Sequence, residues 1–399
     1  MNRPLIELAD VIRAAADRLL DRPPAWLSWL HVKVLMAILR CRTAALGGHV
    51  DECSRCGHQA ISFNSCRNRH CPRCQSSARD CWLDARRAEL LPTRYSHVVF
   101  TIPHLLAPLA LQNKKVIYDL LFRCAAETLL EVAKNPRHLG AEIGFFSVLH
   151  TWNQKLQIHP HIHCVVASGG LSPDHTRWVR PRRENFFLPE AVLREVFRGK
   201  FADALKHAFA AGELQFHGRL KVLAQPRIFK SLLHQLFRHD WVVYCKPPFG
   251  GPDQVLRYLG AYTHRVAISN YRLVSFNDEK VTFRFRDSAG HNKKRLMTLP
   301  ADEFLRRLLL HVLPRGFVRI RHFGFLASRR RGALVPLSKQ LLGDAPVSMP
   351  ACTATSPEPV ASWTCPICGG PMILIERLTA RQLALRSPPL TKVACYENA

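Results

Sequence analysis

The sequence predicts an α+β fold with a small metal-stapled module near its N-terminus, and three observations predict it. Residues 41–82 hold seven cysteines and few large aliphatic residues. From Tyr95 onward, apolar runs of strand length alternate with segments of helical periodicity. The chain has 399 residues, 47% of them hydrophobic and 22% charged, which suits a globular protein of two or three domains with a sizeable core.

Met1 to Leu20 interleaves Glu7, Asp10, Arg13, Asp17 and Arg18 with apolar residues at helical spacing. It reads as an amphipathic helix rather than a secretory signal, and residues 1–40 form a helical N-terminal segment. Residues 41–94 form the cysteine module. His97 to Ile102 reads as a buried strand ending at Pro103, and Leu105 to Val132 as helical. Ile143 to Trp152 and Leu156 to Ala167 read as strands joined by a turn at Asn153-Gln154-Lys155. Helical periods follow over Pro189 to Ala211 and Ile228 to Phe237, then a short strand from Trp241 to Cys245. Pro247, Pro248, Gly250, Gly251 and Pro252 break the chain before a helix that Pro252 and Asp253 are suited to start. Val266 to Phe276, Lys280 to Arg286 and Arg295 to Leu299 read as strands, and Asp302 to His311 as a helix. The expected domains are thus 95–275 with a helical insertion at 185–245, a basic β/α region at 276–332, and a loosely ordered, Pro-, Ser- and Thr-rich tail at 333–399.

The charge selects the partner. Lys plus Arg number 57 against 30 acids, a net +27, and a surface this basic attracts phosphate backbones. No apolar run approaches the roughly 20 residues that a membrane span needs, so no membrane partner is expected. Fourteen cysteines without a secretory signal point to metal binding in a reducing, cytoplasmic setting.

Cys53-Ser-Arg-Cys56 and Cys71-Pro-Arg-Cys74 are two knuckles fourteen residues apart, and together they predict a four-thiolate structural zinc. Cys66 and His70 are spare soft ligands that replace one of the four or belong to a second ion, which His49 and Cys41 could join. Arg67, Arg69 and Arg73 crowd this segment, partly as counter-charge and, given the whole-chain charge, more as DNA contacts. Cys365-Pro-Ile-Cys368 is a further knuckle with no obvious second half, because Cys352 and Cys395 are single.

In a strand reading Ile158-His-Pro-His-Ile-His-Cys164, His161 and His163 point the same way, as does His159, while Ile162 and Cys164 point to the core. Two imidazoles on a rigid strand make an edge for a divalent metal. With 20 histidines, about one such pair is expected by chance, so the pair alone favours hydrogen-bonded histidines at a sheet edge. Tyr258 and Tyr262 fall at i and i+4 on one helical face, with Gln254 a turn earlier. Core packing is the ordinary use of such a pair. Here Arg257, Thr263, His264 and Arg265 surround it, and a face of phenols, carboxamide and cations suits phosphate.

Taken together, Asn64-Ser-Cys-Arg-Asn-Arg-His-Cys-Pro-Arg-Cys-Gln75, His159-Pro-His-Ile-His-Cys164 and Tyr258-Leu-Gly-Ala-Tyr-Thr-His-Arg-Val-Ala-Ile-Ser-Asn270 resemble the two-tyrosine, HUH-class rolling-circle transposases of bacterial insertion sequences. The resemblance covers most of the chain. It implies an HUH endonuclease-like fold, in which an antiparallel sheet flanked by helices occupies 95–275 as the catalytic domain, behind an N-terminal zinc-binding, DNA-binding module. It also implies cleavage and joining of single-stranded DNA. His161 and His163 match the metal pair, for Mg²⁺ or Mn²⁺, and Tyr258 and Tyr262 match the nucleophiles. The third metal ligand is left among Gln254, His159 and His150, with Gln254 favoured because the tyrosine helix must abut the metal. The implied product is a 5′-phosphotyrosine beside a free 3′-hydroxyl, with no nucleotide cofactor. Arg257 and Arg265 are expected to ease loss of the phenolic proton.

Phe283-Arg-Phe-Arg286 sets aromatics on one strand face, more as core than as base-stacking surface, and cations on the other. Arg329-Arg330-Arg331 reads as a nucleic-acid contact. Two other readings remain at this level. A non-catalytic zinc-containing nucleic-acid-binding protein, decayed or repurposed, is one. A histidine-metal hydrolase is the other, disfavoured because no acid lies near the histidine strand.

Overall fold

The computed structural model describes residues 4–21, 23–87, 89–183, 185–246, 260, 266–287, 293–343 and 363–386. Along these run α1 (Leu8–Asp21), α2 (Trp29–Arg40), β1 (Gly48–Cys53), β2 (Gln59–Phe63), α3 (Pro72–Arg87), β3 (Tyr95–Thr101), α4 (Ala107–Gln112), α5 (Lys114–Lys134), β4 (Gly144–Trp152), β5 (Ile158–Ala167), β6 (Gly170–Leu171), β7 (Trp178–Val179), α6 (Glu190–Ala210), α7 (Pro226–Arg238) and β8 (Val242–Cys245). They continue with β9 (Leu273–Asn277), β10 (Lys280–Asp287), β11 (Lys293–Pro300), α8 (Ala301–Leu309), β12 (Ile320–Gly324), α9 (Arg331–Leu341), β13 (Trp363–Thr364), β14 (Pro371–Leu378) and α10 (Ala380–Arg386). The fold is α+β, as the alternation of periods predicts, and no helix among the described residues is long and apolar enough to cross a membrane.

The central sheet has the order β12-β4-β5-β3-β8, with every neighbouring pair antiparallel. The β4–β5 hairpin turns where expected, because the Asn153 carboxamide oxygen accepts from the backbone N–H groups of Lys155 and Gln157, both at 2.9 Å. Side chains alternate across this sheet. Val98, Phe100, Phe145, Leu149, Ile162, Cys164 and Val166 share one face and bury against α5, α6 and α7 in the largest core of the molecule. Each wholly buried Phe there, such as Phe197 or Phe201, contributes about 2–3 kcal/mol by leaving water. The opposite face carries Phe146, Val148, Val165 and Ala167, covered by Trp82 and Leu83 of α3 and by Leu334 and Val335 of α9. Trp82 meets Phe146 edge-on at 5.7 Å.

A second sheet, β11-β10-β9, turns Val281, Phe283 and Phe285 onto α1, α2 and α8, while Lys280, Arg284 and Arg286 face water. Phe283 and Phe285 are therefore core. The strand expected from Val266 begins only at Leu273, after a tight turn at Asn270–Arg272 whose Asn270 side chain accepts from the Leu8 N–H at 3.1 Å. That bond and the Arg18–Asp302 ion pair (3.0 Å) dock α1 onto the segment from Asn270 to Asp302.

Two expected boundaries do not match the fold. β12 lies beyond residue 275 yet forms one edge of the central sheet. Within 333–399, α9 packs on that sheet, and β13, β14 and α10 join the N-terminal module in a third sheet of order β13-β14-β1-β2. The Pro, Ser and Thr content of the tail hides this strand, because its hydrogen-bond partner β1 lies more than three hundred residues away.

His311, just beyond α8, is buried against the β4–β5 hairpin. Its ring lies 3.1 Å from both the Leu156 carbonyl and the Thr151 hydroxyl. Burial pushes it down to about 4, opposed by the Leu156 carbonyl and aided by Lys114. The unfolded chain, with His near 6.5, binds a proton that the folded chain refuses between those values, so this contribution is complete above pH 6.5 and is lost as pH falls toward 4. Thermal melts should accordingly shift downward between pH 6.5 and 4.5, by up to ~3 kcal/mol of stability. His311→Gln should flatten that slope, and an unchanged slope in the variant would exclude His311 as its source.

Candidate functional site

Three imidazoles meet on the α3-covered face of the central sheet. His150 on β4 lies directly across from His161 on β5, and His163 lies across from Val148. Ring centroids are 5.5 Å apart for His150–His161, 4.5 Å for His150–His163 and 4.8 Å for His161–His163. One ring nitrogen from each falls within 4.8 Å of the others, a spacing that fits a single divalent ion.

The surroundings fix which nitrogens are offered. His161 Nδ1 lies 2.6 Å from the His159 carbonyl, so it carries the proton and donates, leaving Nε2 as the ligand atom. His163 Nδ1 lies 2.8 Å from Nε2 of His97 on β3. That contact leaves Nε2 of His163 for an ion and holds its ring as an outer-shell partner does. Burial pushes His97 down to about 3, with Lys246 and His161 adding to it, so it stays neutral. His150 is buried and stacks on Trp152 at 4.9 Å. The His159 ring itself stands 5.0 Å from that of His161, and burial lowers its pKa, with His104 adding.

Tyr258, Tyr262, Gln254, Arg257 and Arg265 lie outside the described residues. Gly260, between the two tyrosines, is described. A Cβ built there would stand 3.2 Å from Leu83 Cδ1 and 3.4 Å from Arg79 Cδ. Both belong to α3, the helix that covers the histidine face.

The thiols group otherwise than expected. Cys71 and Cys74 join Cys41 and Cys66, whereas Cys53 and Cys56 join Cys365 and Cys368. The predicted set Cys53, Cys56, Cys71 and Cys74 is thus divided between two clusters. The reason is topological. Cys41 caps α2, and Cys71 and Cys74 open α3, which brings their Sγ atoms together, with Cys41–Cys74 at 3.4 Å and Cys66–Cys74 at 3.5 Å. Cys53 ends β1 and lies beside β14. Hydrogen bonds from Cys41, Cys66 and Cys71 pull the Cys74 thiol far down, as a first thiolate shared among four sulfurs requires. His70 joins neither cluster. It lines a small cavity with Trp152, His311 and Arg319, and burial pushes it down to about 3, with Arg69 adding. His49 faces Asp51 at 3.4 Å instead of a thiol.

The arginines divide too. Arg69 donates to the carbonyls of Phe317 and Pro314, and Arg73 pairs with Glu7 and donates to the Cys41 carbonyl at 3.0 Å. Both fasten the module to the rest of the chain. Arg330 is paired with Glu142, and Arg331 with Glu89 at 3.3 Å. Arg67 and Arg329 are exposed.

Residues 11–102 match the family described as "Transposase zinc-binding domain", and residues 144–333 match the one described as "Putative transposase". A protein named "Putative transposase y4qJ" from Sinorhizobium fredii (strain NBRC 101917 / NGR234) is 52% identical over 355 residues, 89% of this chain and 88% of that relative. The chain belongs to this family of transposases. A second relative, "Transposase for insertion sequence element IS801" from Pseudomonas savastanoi pv. phaseolicola, is 28% identical over 375 residues, 91% of this chain and 88% of its own length. No solved structure matches.

The transposase therefore has DNA as its substrate, and its zinc-binding domain contains the thiol cluster of Cys41, Cys66, Cys71 and Cys74, which has the right chemistry for structural zinc. Sequence reasoning missed His97 outright, because one His in an apolar strand carries no signal of its own. It also missed the thiol partnership, for which a signal existed. Cys56 and Cys368 are each followed by glycine, whereas Cys74 is followed by Gln75.

Proposed function

We propose that this transposase cuts and rejoins single-stranded DNA at element ends and targets through a 5′-phosphotyrosine, with a divalent ion, Mg²⁺ or Mn²⁺, held by Nε2 of His161 and His163 and by His150. The observation that carries the reading is the convergence of three imidazoles on one sheet face, two of them oriented by His97 and by the His159 carbonyl. It favours His150 over His159 as third ligand, while Gln254 lies outside the described residues. Gly260, between the two tyrosines, lies against Leu83 and Arg79 of α3, the helix that covers the histidine face.

A divalent ion held by His150, His161 and His163 would supply charge neutralisation at the scissile phosphate. The chain's own groups do the rest. A phenol of Tyr258 or Tyr262, ordinarily near pKa 10, loses its proton beside the cations Arg257 and Arg265 and attacks phosphorus. A bond forms from Tyr Oη to phosphorus, the bond to O3′ breaks, and the 3′-oxygen leaves as a hydroxyl after taking a proton. The ester conserves the bond energy, so a 3′-hydroxyl can reverse the step without a nucleotide cofactor. With two tyrosines, one end can be held while another is cut. Arg67 and Arg329 remain available to phosphates. The reaction belongs where the element's DNA lies, in the bacterial cytoplasm.

Single-stranded oligonucleotides from the element's ends, incubated with Mg²⁺ or Mn²⁺, should give a protein–DNA adduct that survives denaturing electrophoresis. The adduct should vanish in the Tyr258→Phe/Tyr262→Phe double variant. Salt-sensitive binding with no adduct under either metal would instead favour a non-catalytic DNA-binding protein.

A further inference from the structure

Two knuckles from opposite ends of the chain close on one point. Cys53 and Cys368 Sγ atoms are 3.4 Å apart, those of Cys56 and Cys365 are 3.7 Å apart, and all four lie within 4.8 Å of one another. A zinc ion about 2.3 Å from each of four sulfurs sets them about 3.8 Å apart at the corners of a tetrahedron. A disulfide needs about 2.05 Å. The spacing is that of a shared ion.

The backbone around the two pairs is the same. Gly57 N–H donates to the Cys53 carbonyl and Gly369 N–H to the Cys365 carbonyl, both at 2.9 Å, and both glycines take φ of +68°. Such a φ disfavours any residue with a Cβ. Arg55 N–H points at Cys53 Sγ, Ile367 N–H at Cys365 Sγ and Gly370 N–H at Cys368 Sγ, each at 3.4 Å, the donors that thiolates accept. Cys53 N–H returns to the His58 carbonyl at 2.8 Å and Cys365 N–H to the Gly370 carbonyl at 2.7 Å. Two copies of one turn facing each other are a built site.

We propose that Cys53, Cys56, Cys365 and Cys368 bind a second structural zinc ion, distinct from the one suited to Cys41, Cys66, Cys71 and Cys74, and that this ion clasps the C-terminal hairpin onto the N-terminal module. Half of its ligands lie beyond both regions matched by the transposase families. Binding turns four thiols into thiolates and releases their protons to water. The clasp locks β14 beside β1 in the register Gly48↔Leu378 to Cys53↔Met372, with Met372 wholly buried behind the thiols. Trp363 adds a hydrogen bond from its indole N–H to the Asp51 carboxylate at 3.0 Å. The zinc module is therefore built from both ends of the polypeptide, and an ion that closes so long a loop removes a large share of the freedom of the unbound segment.

The test uses the full chain and no DNA chemistry, so its outcome is separable from that of the tyrosine reading. In the zinc-loaded protein, Cys365 and Cys368 should resist alkylation together with Cys53 and Cys56, and all four should become reactive when a chelator is added. The Cys365→Ser/Cys368→Ser variant should hold one zinc fewer per chain than the wild type. With Co²⁺ in place of zinc, its thiolate-to-metal charge-transfer absorption should fall by half. Cys53→Ser/Cys56→Ser should lose the same ion and expose residues 363–386 to protease. Unchanged zinc content in the C-terminal variant, or equal alkylation of wild-type Cys365 and Cys368 with and without chelator, would overturn the clasp. So would a reductant-sensitive disulfide at these positions in the zinc-loaded chain.

Discussion

His161→Ala/His163→Ala is expected to reduce cleavage of single-stranded DNA by on the order of 10³-fold or more, with circular dichroism and melting behaviour close to wild type. The two imidazoles lie at one end of β5, and the residues that hold that strand, Ile162, Cys164 and Val166, face the opposite core. Losing transition-state charge stabilisation at a phosphate costs about 3–4 kcal/mol for each 10²–10³ in rate. His150→Ala should act in the same sense at about 10²-fold, partly recovered by raising Mn²⁺, because a missing ligand weakens affinity before it abolishes binding. His97→Ala should cost about 10–100-fold, as outer-shell partners of ligating histidines do, and His159→Ala much less. Single-turnover cleavage against metal concentration distinguishes these. Wild-type cleavage by the double variant would remove the metal from this face of the sheet, and a larger loss from His159→Ala than from His150→Ala would make His159 the third ligand in place of His150.

The second large effect concerns the other kind of site. Cys41→Ser and Cys71→Ser should each release one zinc per chain and lower or split the thermal transition, whereas His70→Ala should retain full zinc. Structural zinc in small modules contributes apparent free energies of ~10 kcal/mol or more, so a module of this size does not keep its fold without it. The expected damage extends beyond residues 41–87. Cys41, Cys71 and Cys74 pack in one core with α1, α2, Phe283 and Phe304, and Arg73 joins the Cys41 carbonyl to Glu7. Zinc analysis with calorimetry reads both consequences. Loss of zinc from His70→Ala with retention in Cys41→Ser would restore the histidine to the ligand set.

Much of the architecture was legible in the sequence because it is written in local terms. The β4–β5 hairpin, α5, α6, α7 and the alternation that separates Phe283 and Phe285 from Arg284 and Arg286 all follow from period and turn chemistry within about twenty residues. The net charge and the doubled Cys-x-x-Cys motif likewise pointed to DNA and zinc before any coordinates. The metal-binding edge was partly legible, since His161 and His163 are two apart on one strand.

Partnership across the chain was beyond the sequence. His150 meets His161 because antiparallel register sets them opposite, and His97 meets His163 because β3 is the next strand over. Neither relation leaves a mark in composition or spacing. Arg69 and Arg73 look like DNA contacts in a basic stretch, and only the carbonyls of Pro314, Phe317 and Cys41, together with Glu7, draw them inward. What the sequence determined by itself is the repertoire: which segments are strands or helices, which residues can hold a metal, and that the partner is a polyanion. The tertiary structure decided which cysteine pairs with which, and which histidines share a face, because a ligand set is a matter of distance in space, and residues three hundred apart in the chain become neighbours only when a strand such as β14 finds its edge.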